Sequence, residues 1–221
     1  MSKSLKQANI PQIITFLVAN VAVLAIMVVG WSTTIAFISN GVRDKLDLIG
    51  RAVVIPSVLS MLIGLVGWSL PRPWKETLIF WRMGAKALPS SQAFSKLASQ
   101  DPRINLASLR SRLGAFPRDP TKQTAIWYGI YRKHHEEASV IDAHGAYLRY
   151  REMIALPPIL FVFSLLIGIW RRGRISSLIV CISLLTAEYL VVMLAARNAA
   201  THLVTNVLAI ESSASNKTDE I

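Results

Sequence analysis

Four long apolar runs, Pro11–Phe37, Ala52–Leu70, Met153–Trp170 and Ile175–Ala196, constrain this chain more than any other feature. A helix rises about 1.5 Å per residue and the hydrocarbon layer of a bilayer is about 30 Å thick, so about 20 apolar residues cross it. The first run is longer than a crossing needs, which predicts a tilted span, and longer than the apolar core of a cleaved leader, which predicts a retained one. With 52% hydrophobic residues in 221, the chain is too apolar for an ordinary soluble domain. The expected fold is an all-α membrane protein. It has two transmembrane hairpins, four helices in all, with a small helical cytoplasmic domain inserted between spans 2 and 3. The expected boundaries are 1–72 for the first hairpin, 73–151 for the insert, 152–210 for the second hairpin with an amphipathic extension, and 211–221 for a disordered tail.

Local signals divide the chain further. Asn40 and Gly41 end the first run, and a short charged loop from Val42 to Arg51 follows it. Pro71-Arg72-Pro73 closes the second. Within the insert, Asn105 is placed to cap a helix over Leu106–Leu113, with Gly114 at its end. Thr121 is placed to cap the next helix, roughly Lys122 to Glu137, and Val140 to Tyr150 continues the pattern. The insert is poor in aliphatic residues, so its core is thin and it is expected to lean on other helices or a partner. Pro157-Pro158 predicts a kink within a third span beginning near Met153. Past Ala196, the residues Leu203, Val204, Val207, Leu208 and Ile210 share one face, an amphipathic continuation of the fourth helix.

The formal charge of +11 is asymmetric. Four spans put both termini and the insert on one side, with eighteen Lys and Arg there against six on the other. Positive charge favours the cytoplasmic face, so the N-terminus, C-terminus and insert are expected inside the cell and the chain in a plasma (inner) membrane. The turn Arg171-Arg172-Gly173-Arg174 runs against this assignment, because three arginines must then cross.

Several residues stand out as candidates. Glu188 is an acid inside the fourth apolar run, where a carboxyl costs about 2.5–3.5 kcal/mol unless it faces protein or water. It marks either an ion or proton path, a subunit contact, or a carboxyl bonded to a neighbouring helix. Ser60, Gly64 and Gly67 line one helical face that permits close approach, within the chain or between copies. Trp74, Trp81, Arg82, Trp127, Tyr128 and Tyr131 form a basic and aromatic set suited to a partner, to an anionic lipid surface with the aromatics in the insert's small core or at the interface, or more remotely to nucleic acid. His134, His135 and His144 invite a metal hypothesis. Adjacent histidines on a helix point about 100° apart, and the spacing is not that of a zinc-protease helix, so a solvated face is the better reading and no metal or cofactor is expected. Cys181 is the single cysteine, which excludes a disulfide within one chain. There is no phosphate-cradling glycine loop, nucleophile elbow or paired carboxylate motif, so an enzyme is not the leading expectation.

The layout of two hairpins, Pro11–Leu70 and Met153–Ala196, around a small helical domain resembles compact four-pass membrane proteins of bacterial anti-phage defence systems. Asp101-Pro102-Arg103-Ile104 with Trp127-Tyr128 also looks like segments of bacterial membrane proteins. That resemblance implies a membrane-embedded, self-associating effector or sensor component. Its cytoplasmic domain receives a signal or a soluble protein partner, and its spans alter the membrane in response. The alternatives are a passive anchor recruiting a soluble nucleic-acid-binding or enzymatic subunit, and a small transporter or membrane enzyme using Glu188.

Overall fold

The computed structural model describes residues 5–29, 55–170 and 175–214. Every regular element among them is helical. The principal helices are α1 (Ile10–Val29), α2 (Ile55–Ser69), α3 (Arg72–Phe80), α4 (Leu106–Leu113), α5 (Pro120–His134), α6 (Ala138–Met153), α7 (Leu156–Trp170) and α8 (Ile175–Ser213). By length and composition, one helix among the described residues can cross a membrane, over Leu178–Ser213. The loop Val42 to Arg51, the arginine turn 171–174 and the end of the first run lie outside the described residues.

The chain divides into two compact units. One, the insert unit, takes Met1–Ala8, Arg72–Arg151 and Met193–Ile221; the other, the apolar unit, takes Asn9–Pro71 and Glu152–Val192. Helix α8 supplies residues to both. This departs from the expected grouping of 152–210 as one hairpin, and the reason is packing. Leu203, Val204, Val207 and Leu208 of α8 are buried with Phe94, Ile104, Leu109, Trp127, Ile130 and Val140 in one core. Helix α5 lies on the 3-10 turn Pro89–Gln92. There Gln123, 1% exposed, accepts hydrogen bonds through Oε1 from the backbone nitrogens of Phe94 (3.1 Å) and Ser95 (3.2 Å). Those bonds hold a π-helical turn, Ala93–Leu97, against α5.

In the apolar unit, Leu156, Leu160, Cys181 and Leu185 are buried together, with Phe16, Leu17 and Ile159 packed around them. Outward, the unit shows water-averse side chains: Val18 on α1, Met61 on α2, Val162 and Ile169 on α7, and Val191 on α8 are each more than half exposed. The small-residue face of α2 makes contacts within the chain. A Cβ on Gly64 would come 3.2 Å from Leu17, and one on Gly67 would come 3.3 Å from Leu156. Ser60 lies on the same helix.

Three local expectations need correction. The third span is not one kinked helix from Met153: α6 ends there, Ile154 and Ala155 form a turn, and α7 starts at Leu156. Pro157 and Pro158 thus stand in a first turn, where a missing N–H leaves no bond unmade. Helix α5 is capped by Asp119, whose side chain accepts from the Lys122 backbone nitrogen at 2.8 Å, and Pro120 rather than Thr121 occupies its first position. The tail does not begin at 211, because α8 runs to Ser213 with Glu211 and Ser212 buried. By contrast, Asn105 caps α4 by accepting from the Ser108 nitrogen at 3.1 Å, and Gly114 ends it at φ +74°, a left-handed backbone that suits glycine.

Leu208 is fully buried, so Leu208→Ala should destabilise the fold by about 2–5 kcal/mol. Val191→Ala, at a residue 66% exposed, should change it by less than about 1 kcal/mol. Thermal unfolding of the detergent-purified chain distinguishes the two.

Candidate functional site

Two acids on α8 organise the polar chemistry, one in each unit. In the apolar unit Glu188 is half-buried and accepts a hydrogen bond at 2.8 Å from Nδ2 of Asn20 on α1. Asn20 is 2% exposed, and its Nδ2 also donates to the Phe16 carbonyl at 2.9 Å. The Asn20 Oδ1 is buried and has no hydrogen-bond partner among the described residues. A carboxamide can serve either state of a carboxyl group. Its NH2 donates to a carboxylate, and its C=O accepts from a carboxylic acid. Asn20 therefore accommodates Glu188 with or without a proton, at the cost of one unbonded atom. Also in the apolar unit, the buried Ser164 Oγ is 3.7 Å from Cys181 Sγ.

In the insert unit Glu211, 2% exposed, is the centre of a basic clasp. His134 Nε2 lies 2.6 Å from its Oε2, and Arg112 Nη2 lies 3.3 Å and Lys133 Nζ 3.8 Å from its Oε1. Arg112 Nη1 also donates to the Glu211 carbonyl at 2.8 Å. The neighbouring Ser212 Oγ accepts from the Asn105 nitrogen at 3.2 Å, and its carbonyl accepts from Ser108 Oγ at 3.0 Å. Helices α4 and α5 thereby grip the last turn of α8. Arg132, Lys133 and His134 close α5, where the helix dipole favours positive charge. Further along, Asp101 takes a two-pronged bond from Arg103, through Nε at 3.0 Å and Nη2 at 2.7 Å, and Arg103 Nη2 also reaches Thr205 at 3.3 Å. Bonding to Arg103 holds the Asp101 carboxyl down at about 2.

The three histidines do not converge. His134 is in the clasp, His135 is exposed with Nδ1 2.9 Å from the Arg132 carbonyl, and His144 Nδ1 lies 2.9 Å from Tyr131 Oη. Among the described residues there is no group of three or more His, Cys, Asp or Glu able to hold a metal. Burial, reinforced by Arg151 and Arg72, pushes the His144 pKa below 6.5, and burial raises that of Tyr131. The two shifts agree on one arrangement: the Tyr131 hydroxyl donates to a neutral imidazole.

The aromatic set also separates. Trp74, Trp81 and Tyr128 are more than half exposed, and Arg82 is exposed as well. Trp127 is not a surface residue: it is 8% exposed, stacks on Tyr131 at 5.5 Å and donates to the Val204 carbonyl at 3.4 Å. Its indole packs into the core that Phe94, Ile130, Val140 and the α8 residues Val204 and Val207 form. Two residues escaped the sequence reading. Asn20 was signalled only by being an amide inside an uncharged run, and Glu211 was hidden by the Ser-rich segment after it. No family model, curated protein or solved structure matches the chain.

Removing the clasp's anion should loosen the insert unit. Glu211→Gln is expected to lower stability by about 1–3 kcal/mol, whereas Glu136→Gln, at an acid 89% exposed, should stay within about 0.5 kcal/mol. His144 gives a pH signature. Its folded pKa is depressed, so below about 6.5 the unfolded chain takes up a proton that the folded chain resists. Stability contributed by neutral His144 is thus present above about pH 6.5 and lost as pH falls below it. His144→Gln should flatten that part of the stability profile between about pH 5 and 7, measured by chemical denaturation.

Proposed function

We propose that this chain is a membrane-embedded sensor or effector component with several spans. In this reading the apolar unit lies in the bilayer, and the insert unit faces the cytoplasm to receive a signal or a protein partner. The observation that carries the proposal is α8, one unbroken helix with Glu188 hydrogen-bonded to Asn20 in the apolar unit and Glu211 clasped in the insert unit. A helix that contributes a polar contact to each unit offers a route by which an event in one unit biases the other.

The bilayer placement draws support from the exterior of the apolar unit. Aliphatic side chains facing outward on α1, α2, α7 and α8 would be costly in water and are favourable in lipid. Within lipid, the carboxyl of Glu188 needs a partner, and Asn20 is one. A change that parts the pair leaves a buried carboxyl to be satisfied by water or by another copy of the chain. Either outcome perturbs the membrane. Self-association places several copies of Glu188 around one axis. The biological setting is the one the four-pass layout resembles, bacterial anti-phage defence.

Induced expression in cells loaded with a membrane-potential dye tests the reading. Wild type is expected to lower the potential, and both Glu188→Gln and Asn20→Leu should change the size of that response while accumulating in the membrane to the wild-type level. A potential that wild type leaves unchanged, together with a soluble protein retained in stoichiometric amount through detergent purification, would instead make the chain a passive anchor.

A further inference from the structure

We infer that the insert unit holds an anion-binding pocket for a phosphate ester with a small organic body. A cavity of about 390 Å³ opens between the segment following α3 and the start of the insert unit's share of α8. Arg82, Lys86, Lys96 and Arg197 line it, and no acidic residue does. Elsewhere in the unit, several cations have a carboxylate beside them: Arg72 pairs with Glu76, Arg103 with Asp101, and Arg112 and Lys133 with Glu211. Among the described residues none of the four around the cavity makes an ion pair with a carboxylate. Gathering like charges round one space without counter-charge is unfavourable, and a bound anion removes the cost.

Arg197 makes this more than a basic patch. Its Nε donates to the Ile79 carbonyl at 2.6 Å, and its guanidinium lies 5.1 Å from the Trp81 ring centroid. Trp81 adopts φ +54°, the left-handed region that side chains other than glycine seldom occupy, directly after α3. With Nε and one planar face engaged, the two terminal nitrogens of Arg197 remain for a ligand, in the fork that matches two phosphate oxygens. Thr201, one helical turn on, adds a hydroxyl to the same wall. Lys86 and Lys96 are exposed and long enough to close on a charge held there.

The size and the remaining wall set the ligand class. The cavity falls in the range of small-molecule sites, roughly 300–1,000 Å³, and is larger than phosphate requires. Phe80, Leu88 and Leu97 supply an apolar side for an organic group. Two sources offer that chemistry, a soluble phosphate ester and the headgroup of an anionic lipid. The proposal does not depend on Glu188 or on any effect on the membrane.

The full chain, purified in neutral detergent, is titrated with glycerol 3-phosphate by calorimetry. In parallel it is reconstituted in phosphatidylcholine nanodiscs containing phosphatidylglycerol, and retained phosphatidylglycerol is counted after detergent exchange. The variant Arg82→Gln/Lys86→Gln/Lys96→Gln changes three exposed side chains and should melt as wild type does. It is expected to weaken glycerol 3-phosphate binding, lipid retention or both by about tenfold or more. A charge-matched control, Arg118→Gln/Lys122→Gln/Arg132→Gln, alters exposed cations away from the cavity and should bind as wild type does. Binding in detergent identifies a soluble ester as the source, and retention in nanodiscs alone identifies a lipid headgroup. Wild type that does neither, a pocket variant that matches wild type, or a control that loses as much as the pocket variant would overturn the proposal.

Discussion

The insert cannot fill its own interior, and the structure of that unit follows from how the deficit is met. Between Arg72 and Arg151 the aliphatic side chains are few and scattered among basic ones. The last turns of α8 supply Leu203, Val204, Val207 and Leu208, and these residues are buried alongside Trp127 and Ile130. Without them the aromatic side chains of α5 would lose much of the apolar surface they lie on. Their burial also brings the end of α8 to α4 and α5, where Glu211 becomes a buried acid in need of charge. Arg112, Lys133 and His134 then follow as a consequence of the packing. Hydrophobic contact supplies most of the attachment, and the clasp fixes its register, because a one-residue slip would carry Glu211 away from all three cations.

How much of this could be read from the sequence depended on the range of the interaction. Asn105 and Gly114 bounded α4 as expected because a cap is settled within a few residues by groups that have no other partner. Thr121 was misjudged for a related reason. Asp119-Pro120 is the stronger start signal, since the carboxylate accepts from the first turn and the proline ring already has helical φ. At Pro157-Pro158, the preference of proline for a helix start prevails over the minimum length of a crossing, and α7 begins at Leu156. Trp127 shows the opposite limit. Its basic neighbours leave both a surface and a core position open, and packing with the insert's own apolar residues and the distant α8 segment decides for the core. Glu211 was lost in the same way, because a Ser-rich end reads as tail unless something far off in sequence buries it.

The polar pairs show the same division between local and distant information. Glu188 was conspicuous from sequence, since an acid in an apolar run needs an explanation. Its partner was not, because asparagine carries no charge and 168 positions separate the two. Where a carboxyl packs among apolar side chains, the amide beside it matters as much as the acid. A lone carboxyl in the apolar unit would have to pay its desolvation cost unaided, and Asn20 offsets part of it while leaving its own Oδ1 unbonded.

The two acids of α8 are thus satisfied by opposite means. Glu211 is surrounded by cationic side chains that reach water at their outer ends, an arrangement in which charge is matched by charge. Glu188 is met by a neutral amide among aliphatic side chains, where a cation would itself need burying. An amide offers both a donor and an acceptor, so Asn20 can bond the Glu188 carboxyl through either of its polar atoms. One acid of the helix is thus held by several charged side chains and the other by a single neutral amide. That asymmetry comes from the choice of partner, asparagine in one unit and arginine, lysine and histidine in the other.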